Sequence, residues 1–367
     1  MMPMKAKTQN PPNRRLWHAF LKDVFICSLG AYGGPEAHYG VFADQLVEKK
    51  KYITEEELAE LIAVTGVLPG PSSTQTIVAV GLKIGGPVLG LLTMLVWALP
   101  VLVVMTALSF LSQILQTMNI SQAGLRYIGP MAVGFIVVAA WRLGRKVVTG
   151  RLTLVLFLAG ALITYFVRQP WVYPAVLLLG GAAGVATSRE KNAWNRVSIR
   201  PPWGYLAVFG VFAICSLVLA MITNNPILHL FESFYRYGYL VIGGGQVVVP
   251  LMYSELVEIN QSMTNSEFLT GFGLVQGLPG PMFSFAAYAG GMAARGGSTL
   301  LQILGATAGG IAIFFARHFA HLFCLPRLGK LKTNKRYQNF AQRHYGGGRW
   351  ADCRCRCHSN AKKRLRV

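Results

Sequence analysis

The sequence predicts an all-α, polytopic inner-membrane protein. It would be built from two inverted-topology repeats, with broken or re-entrant helices at Gly-Gly-Pro and Pro-Gly-Pro. Three observations lead there. The 367-residue chain is 53% hydrophobic and only 13% charged, against about 25% charged residues in soluble domains. The phrase Leu68-Pro69-Gly70-Pro71 recurs as Leu278-Pro279-Gly280-Pro281, 210 positions later. The charges beside the two copies differ in a way that puts them on opposite sides of a bilayer.

Several stretches meet the requirement of about 20 mostly apolar residues for a membrane span. They are Pro87–Leu115, Gly124–Ala140, Leu152–Val167, Trp171–Thr187, Trp203–Ile222, Leu269–Ala289 and Leu300–Phe315. The stretch Leu269–Ala289 contains Leu-Pro-Gly-Pro and is expected to be broken. No small-residue cleavage site follows Lys5, Lys7, Arg14 and Arg15, so insertion is expected through an internal span. Cys27, Cys215 and Cys324 stand singly in apolar surroundings and read as small hydrophobes.

The net charge of +21 lies mostly in loops and in the tail after Phe315. That distribution argues against nucleic acid, which calls for basic residues grouped on one domain with interleaved aromatics. In loops, the charge orients the chain. Arg142, Arg145, Lys146 and Arg151 mark one cytoplasmic loop, and Arg189, Lys191, Arg196 and Arg200 mark another. The loops around Asn119, Gln169 and Asn224 carry little charge and alternate with these.

The repeat extends beyond its signature phrase. At the same 210-residue offset Gly33-Gly34 meets Gly243-Gly244, Leu46-Val47-Glu48 meets Leu256-Val257-Glu258, Thr54 meets Thr264, Glu57 meets Glu267 and Gly81 meets Gly291. The turn Glu48-Lys49-Lys50-Lys51 is basic and reads as cytoplasmic. Its copy, Glu258-Ile259-Asn260-Gln261, has no cation. A basic module inside and its acidic copy outside are the expected signature of inverted repeats, an architecture many secondary transporters use, against the alternative of a parallel duplication with a long crossover. The expected domains are a first repeat over 1–187, a basic cytoplasmic loop over 188–202, a second repeat over 203–315 and a basic tail over 316–367.

Each module offers two backbone breaks. Proline lacks an amide and clashes with the preceding turn, and glycine allows positive φ. Inside a bilayer, broken backbone is tolerated only where protein or a cavity surrounds it. A break also opens a helix N-terminus with unpaired amides and a partial positive charge, which suits an anion. The candidate binding residues are therefore Gly33, Gly34, Pro35 and His38, then Pro69, Gly70 and Pro71 with Ser72, Ser73, Thr74 and Gln75. In the second half they are Gly243, Gly244 and Gly245, with Pro279, Gly280 and Pro281. The hydroxyls and amide after the first Pro-Gly-Pro suit a tetrahedral oxyanion, whereas Met282-Phe283-Ser284-Phe285 is less polar. His38, Asp44 and Glu255 are candidates for coupling to an ion flow, since ionisable groups in membrane segments often mark such paths. Lys22, Lys83, Arg126 and Arg295 also lie in or beside apolar stretches. Thr54-x-x-Glu57 and Thr264-x-x-Glu267 read as capping boxes at helix starts. No metal-ligand spacing, nucleotide-binding loop or nucleophile elbow appears in the membrane part, so no cofactor, no metal and no enzyme activity are expected.

Two runs, Gly33-Gly34-Pro35-Glu36-Ala37-His38 and Leu68-Pro69-Gly70-Pro71-Ser72-Ser73-Thr74-Gln75, have counterparts in Gly243-Gly244-Gly245 and Gln276-Gly277-Leu278-Pro279-Gly280-Pro281. In this paired form they resemble the bacterial chromate transporters, over roughly Leu16 to Phe315. The resemblance implies a two-domain, multi-pass carrier in the cytoplasmic membrane. It would export chromate and confer resistance to it, with sulfate as the isosteric anion. Membrane lipid would be its other partner, and a homodimer is an assembly it allows. The alternatives are a carrier of sulfate or another anion, or a membrane protein that does not transport because its C-terminus is altered.

The tail does not continue the pattern. After Phe315 the chain turns basic, and Cys353-x-Cys355-x-Cys357-His358 has spacing poor for zinc. Removing one nucleotide from back-translated Phe314-Phe315 codons yields an apolar, stop-free continuation with a Leu-Pro break like Leu99-Pro100. A frameshift is therefore expected at this point, with the chain leaving the membrane near Phe315; the alternative is a cytoplasmic basic tail touching anionic lipid.

Overall fold

A computed structural model describes residues 14–67, 71–117, 127–148, 150–167, 169, 172–187, 203–240 and 245–328. Among these residues every regular element is helical, so the chain is all-α as expected. The elements are α1 (Arg14–Gly30), α2 (Pro35–Phe42), a π-helical segment Ala43–Lys49, α3 (Glu55–Val67), α4 (Ser72–Thr117), α5 (Ile128–Val147), α6 (Arg151–Phe166), α7 (Val172–Thr187) and α8 (Trp203–Ile222). The second half adds α9 (Pro226–Leu240), α10 (Gly245–Tyr253), a second π-helical segment Ser254–Ile259, α11 (Asn265–Gly277), a 3₁₀ turn Met282–Ser284, α12 (Phe285–Ala293) and α13 (Thr299–Leu328).

The element order repeats at the offset of the motifs. Shifted by 210 positions, α1 falls on α9, α2 on α10, one π segment on the other and α3 on α11. The details repeat as well. Lys51 and its equivalent Gln261 are the two non-glycine residues with positive φ among the described residues, at 53° and 49°. Thr54 and Glu57 exchange backbone and side-chain bonds at the start of α3, with distances of 3.1 and 3.2 Å. Thr264 and Glu267 do the same for α11, at 2.8 and 3.2 Å. Each box satisfies two otherwise orphaned amides. The Glu57 carboxylate is ion-paired with Lys83, and the Glu267 carboxylate with Arg295. Two of the cations noted within apolar stretches therefore sit on capping-box carboxylates.

Each half also contains a third break. Within α4 the backbone leaves helical geometry at Gly85 and Gly86, where φ of Gly86 is +77°. The equivalent Gly296 has φ +92°, between α12 and α13. The first of these lies just before the expected span at Pro87.

The core runs through both halves. Phe20, Phe42 and Trp97 of the first half and Phe234, Phe268, Phe272 and Tyr288 of the second belong to one buried cluster. The halves meet where α12 packs on α4 and α11 on α5. Packing between α12 and α13 is close to backbone contact. A Cβ on Gly305 would lie 2.7 Å from the Gly290 carbonyl oxygen, and one on Gly309 would lie 2.5 Å from that of Ala286. The Gly305-x-x-x-Gly309 spacing is the small-residue pattern that lets helices approach where lipid supplies no hydrophobic drive. By contrast α6 buries no residue, and α5, α6 and α8 carry many exposed large apolar side chains. In water such a surface would be a liability, whereas a bilayer covers it. The stretch Ser72–Leu111 is long and apolar enough to cross a membrane. Shorter apolar helices lie at Ile128–Arg142, Arg151–Phe166, Ala175–Gly184, Gly210–Ile222 and Thr299–Phe315.

The apolar part of α13 is Thr299–Phe315, and the helix itself continues to Leu328. Residues 329–367, with Cys353, Cys355, Cys357 and His358, lie outside the described residues, as does Arg126.

Candidate functional site

The first half gathers the polar groups that the sequence singled out. Helix α1 ends at Gly30 and the chain turns at Gly33, φ +86°, before Pro35 opens α2. Proline suits this first position because its missing amide would be orphaned anyway. One turn into α2 lies His38, 2% exposed. Its Nδ1 lies 2.9 Å from the Ser73 hydroxyl at the start of α4. Residues 68–70, and with them Pro69 and Gly70, lie outside the described residues, as do Gly243 and Gly244. Pro71 is buried, and its carbonyl accepts the first helical bond of α4 from the Gln75 amide at 3.0 Å. The amides of Ser72, Ser73 and Thr74 precede that bond in the first turn of α4.

Ser73, Thr74 and Gln75 are all buried, at 3%, 4% and 4% exposure. A residue absent from the sequence reading organises them. The Trp97 indole N–H donates to the Thr74 hydroxyl at 3.2 Å. The same ring meets His38 edge-on at 5.4 Å and Phe42 at 5.2 Å. Trp97 lies within an apolar span, where the sequence shows only bulk. The signal that could have found it is the indole N–H, which needs a partner once buried. Thr76 extends the polar row, 2.8 Å from the Thr65 hydroxyl of α3. Two hydroxyls, one imidazole and the first turn of one helix are thus held together inside an apolar shell. The N-terminal dipole adds about half a positive charge there.

The second half contributes its break. The Gly280 amide donates to the Ala31 carbonyl at 2.7 Å, just before the Gly33-Gly34 turn. Gly280 has φ +112°, and Pro281 beside it is buried. Pro279 is half-buried, and Gly245 opens α10. At the equivalent helix start, Phe283 replaces Ser73 and Ser284 replaces Thr74. The two modules are thus unequal, with more donors in the first.

The coupling candidates separate. Asp44 is exposed and bonds Lys49 at 2.6 Å. Glu255 is 8% exposed and belongs to a charged cluster on α9. Arg236 grips it with two bonds of 2.8 and 3.0 Å and holds Glu232 at 2.8 Å. Ser233 adds a 3.2 Å bond to Glu255. The repeat equivalents of Ser233 and Glu255 are Asp23 and Gln45, which are bonded at 2.9 Å. Tyr52 donates to the other Asp23 oxygen at 2.7 Å. One contact between the first helix and the π segment is thus made twice, with the acid on α1 in one half and on the π segment in the other. Sequence reasoning missed this pair, because neither half repeats the residue types.

The chain matches the model of the chromate transporter family over residues 18–185 and 228–343. These segments start 210 positions apart, the offset of the motifs. The chain belongs to the chromate transporter family. That is a family of transporters and not of enzymes. The chain is 28% identical to the chromate transport protein of Pseudomonas aeruginosa, over 89% of this chain and 76% of that one. It is 24% identical to a probable chromate transport protein of Synechococcus elongatus, over 86% of this chain and 78% of the relative. An uncharacterized transporter of Methanocaldococcus jannaschii is 24% identical, over 91% and 81%. No solved structure matches the chain. The second matched segment runs past Phe315, as α13 does.

Proposed function

We propose that the protein is a multi-pass secondary carrier of the cytoplasmic membrane that exports chromate and so confers resistance to it. The dianion sits at the first turn of α4. The observation that carries this reading is the pair of buried hydroxyls, Ser73 and Thr74, at the start of α4 and beside a broken backbone. Chromate and sulfate share the tetrahedral shape and charge that these donors fit. The two modules are related by inversion in the membrane plane, which the basic Lys49–Lys51 turn and the uncharged Asn260-Gln261 turn support. His38, Asp44 and Glu255 remain the coupling candidates, and His38 is the one bonded to an anion-site hydroxyl.

A hydrogen bond to a charged group contributes about 1.5–3 kcal/mol, or roughly tenfold or more in affinity. Ser73→Ala, Thr74→Ala and Gln75→Ala should each weaken chromate transport, with KM rising at least as much as kcat falls. The amount of protein in the membrane should stay level. Transport unchanged in all three would reduce the break to a packing turn.

A further inference from the structure

The His38 ring is bonded on one side and leaves one nitrogen without a partner. Its Nδ1 is 2.9 Å from the Ser73 hydroxyl, while Nε2 is buried and has no partner. The ring is 2% exposed, so water does not satisfy that atom. A buried polar atom left unmatched is costly and calls for an explanation. Two roles are open to Ser73 at the other nitrogen. If Nδ1 is a bare acceptor, Ser73 must spend its proton on the ring and turns lone pairs toward an incoming anion. If Nδ1 carries hydrogen, it donates to Ser73, whose own proton is then free to point at the anion. A neutral imidazole with hydrogen on Nδ1 leaves Nε2 as an orphan acceptor. Nε2 lacks a partner in either state; the imidazolium makes both nitrogens donors and adds a positive charge, which a bound anion would offset.

Among the described residues no other charge is placed for this task. Among the described residues, no carboxylate stands within ion-pair distance of His38. On α1, Asp23 is taken by Gln45 and Tyr52, Lys22 and His18 are exposed, and the remaining buried titratable group is the Cys27 thiol. On the π segment Asp44 is paired with Lys49, and on α4 Lys83 is paired with Glu57. On α2 itself Glu36 is exposed. A dianion entering the site therefore meets hydroxyls, amides and one imidazole.

We propose that His38 takes up one proton when the oxyanion binds. The proton comes from water and forms an N–H bond on the imidazole. Nδ1–H donates to Ser73, and the Ser73 hydroxyl turns its hydrogen to the anion. No redox partner is needed, and the bound complex carries one negative charge fewer than the free anion. Trp97 acts in the same sense without titrating. Its N–H occupies one Thr74 lone pair and leaves the Thr74 proton for the ligand.

This inference rests on the oxyanion site at the start of α4, and its test separates the two. Purified full-length protein is titrated calorimetrically with sodium sulfate and with chromate, in two buffers of different ionisation enthalpy. Sulfate stays a dianion near neutral pH, so protons counted with it belong to the protein. The wild type should take up about one proton per sulfate above the ordinary imidazole range of about 6.5, and bind about tenfold tighter per pH unit lowered. His38→Gln should bind more weakly, take up none, and show a flat profile. Zero uptake by the wild type, or equal uptake by His38→Gln, overturns the proton linkage. The wild-type count decides alone if that variant does not fold. If Ser73→Ala weakens sulfate binding while the wild type takes up no proton, the site stands and the linkage falls. If Ser73→Ala and Thr74→Ala both bind as the wild type does, or neither anion binds at all, the site itself falls and the linkage with it.

Discussion

Gly280→Ala tests whether the second Pro-Gly-Pro break is packed onto the first half or merely turns beside it. Two costs add at this position. The backbone has φ +112°, which side-chain-bearing residues rarely adopt, at about 1–3 kcal/mol. An added methyl would also lie 2.9 Å from Val101 Cγ1 and 3.3 Å from Val101 Cβ. Val101 is 3% exposed on α4 and cannot easily give way; such overpacking costs about 1–3 kcal/mol more. Gly296→Ala supplies the reference. Its φ is +92°, and nothing lies within 4 Å of its would-be Cβ, so it carries the strain alone. The expected losses are about 1–3 kcal/mol for Gly296→Ala and about 2–6 kcal/mol for Gly280→Ala. Any shift that relieves the clash also pulls the Gly280 amide from the Ala31 carbonyl, 2.7 Å away, and disturbs the break next to His38. Thermal unfolding in detergent ranks the variants, and chromate uptake into inverted vesicles reads the site. Equal melting of the two variants would refute the packed contact between the second break and α4.

Two further outcomes follow from the cluster on α9 and from the repeat. Arg236→Ala leaves Glu232 and Glu255 facing each other without their cation. The expected loss is about 3 kcal/mol, the low end for a broken buried pair, because Arg236 keeps a quarter of its side chain exposed; unchanged melting would make the cluster dispensable. Single cysteines in place of Lys50 and Asn260, in a background without native cysteines, should react with an impermeant thiol reagent from opposite sides of the membrane. Labelling of both from one side would rule out inversion.

Much of the fold was readable where local chemistry decides. Thr54-x-x-Glu57 and Thr264-x-x-Glu267 are written in four residues each, and both form the boxes they spell. The proline-containing breaks separate α1 from α2 and α3 from α4, and α11 from α12, because an absent amide acts through its own neighbours. The π-helical segments left no such mark. One extra residue per turn is tolerated where packing rewards it, and neither Ala43–Lys49 nor Ser254–Ile259 carries a breaker. The backbone end of α13 is likewise unmarked in the sequence: its apolar part stops at Phe315, while the helix runs on to Leu328.

The candidate site divides along the same line. Its hydroxyls and its imidazole were visible as types at telling positions, since a polar row after a helix breaker stands out in an apolar chain. Their pairing was not, because 35 residues separate His38 from Ser73 and 23 separate Thr74 from Trp97. The sequence by itself determined the helical class, the repeat and the places where helices must break, all consequences of covalent structure acting over a few residues. Only the tertiary structure decided which polar groups meet, that Trp97 and His38 orient two hydroxyls, that Gly280 of one half bonds Ala31 of the other, and that Asp23–Gln45 is answered by Ser233–Glu255. Such contacts depend on how distant segments pack, and that is settled by the shape and burial of the whole chain.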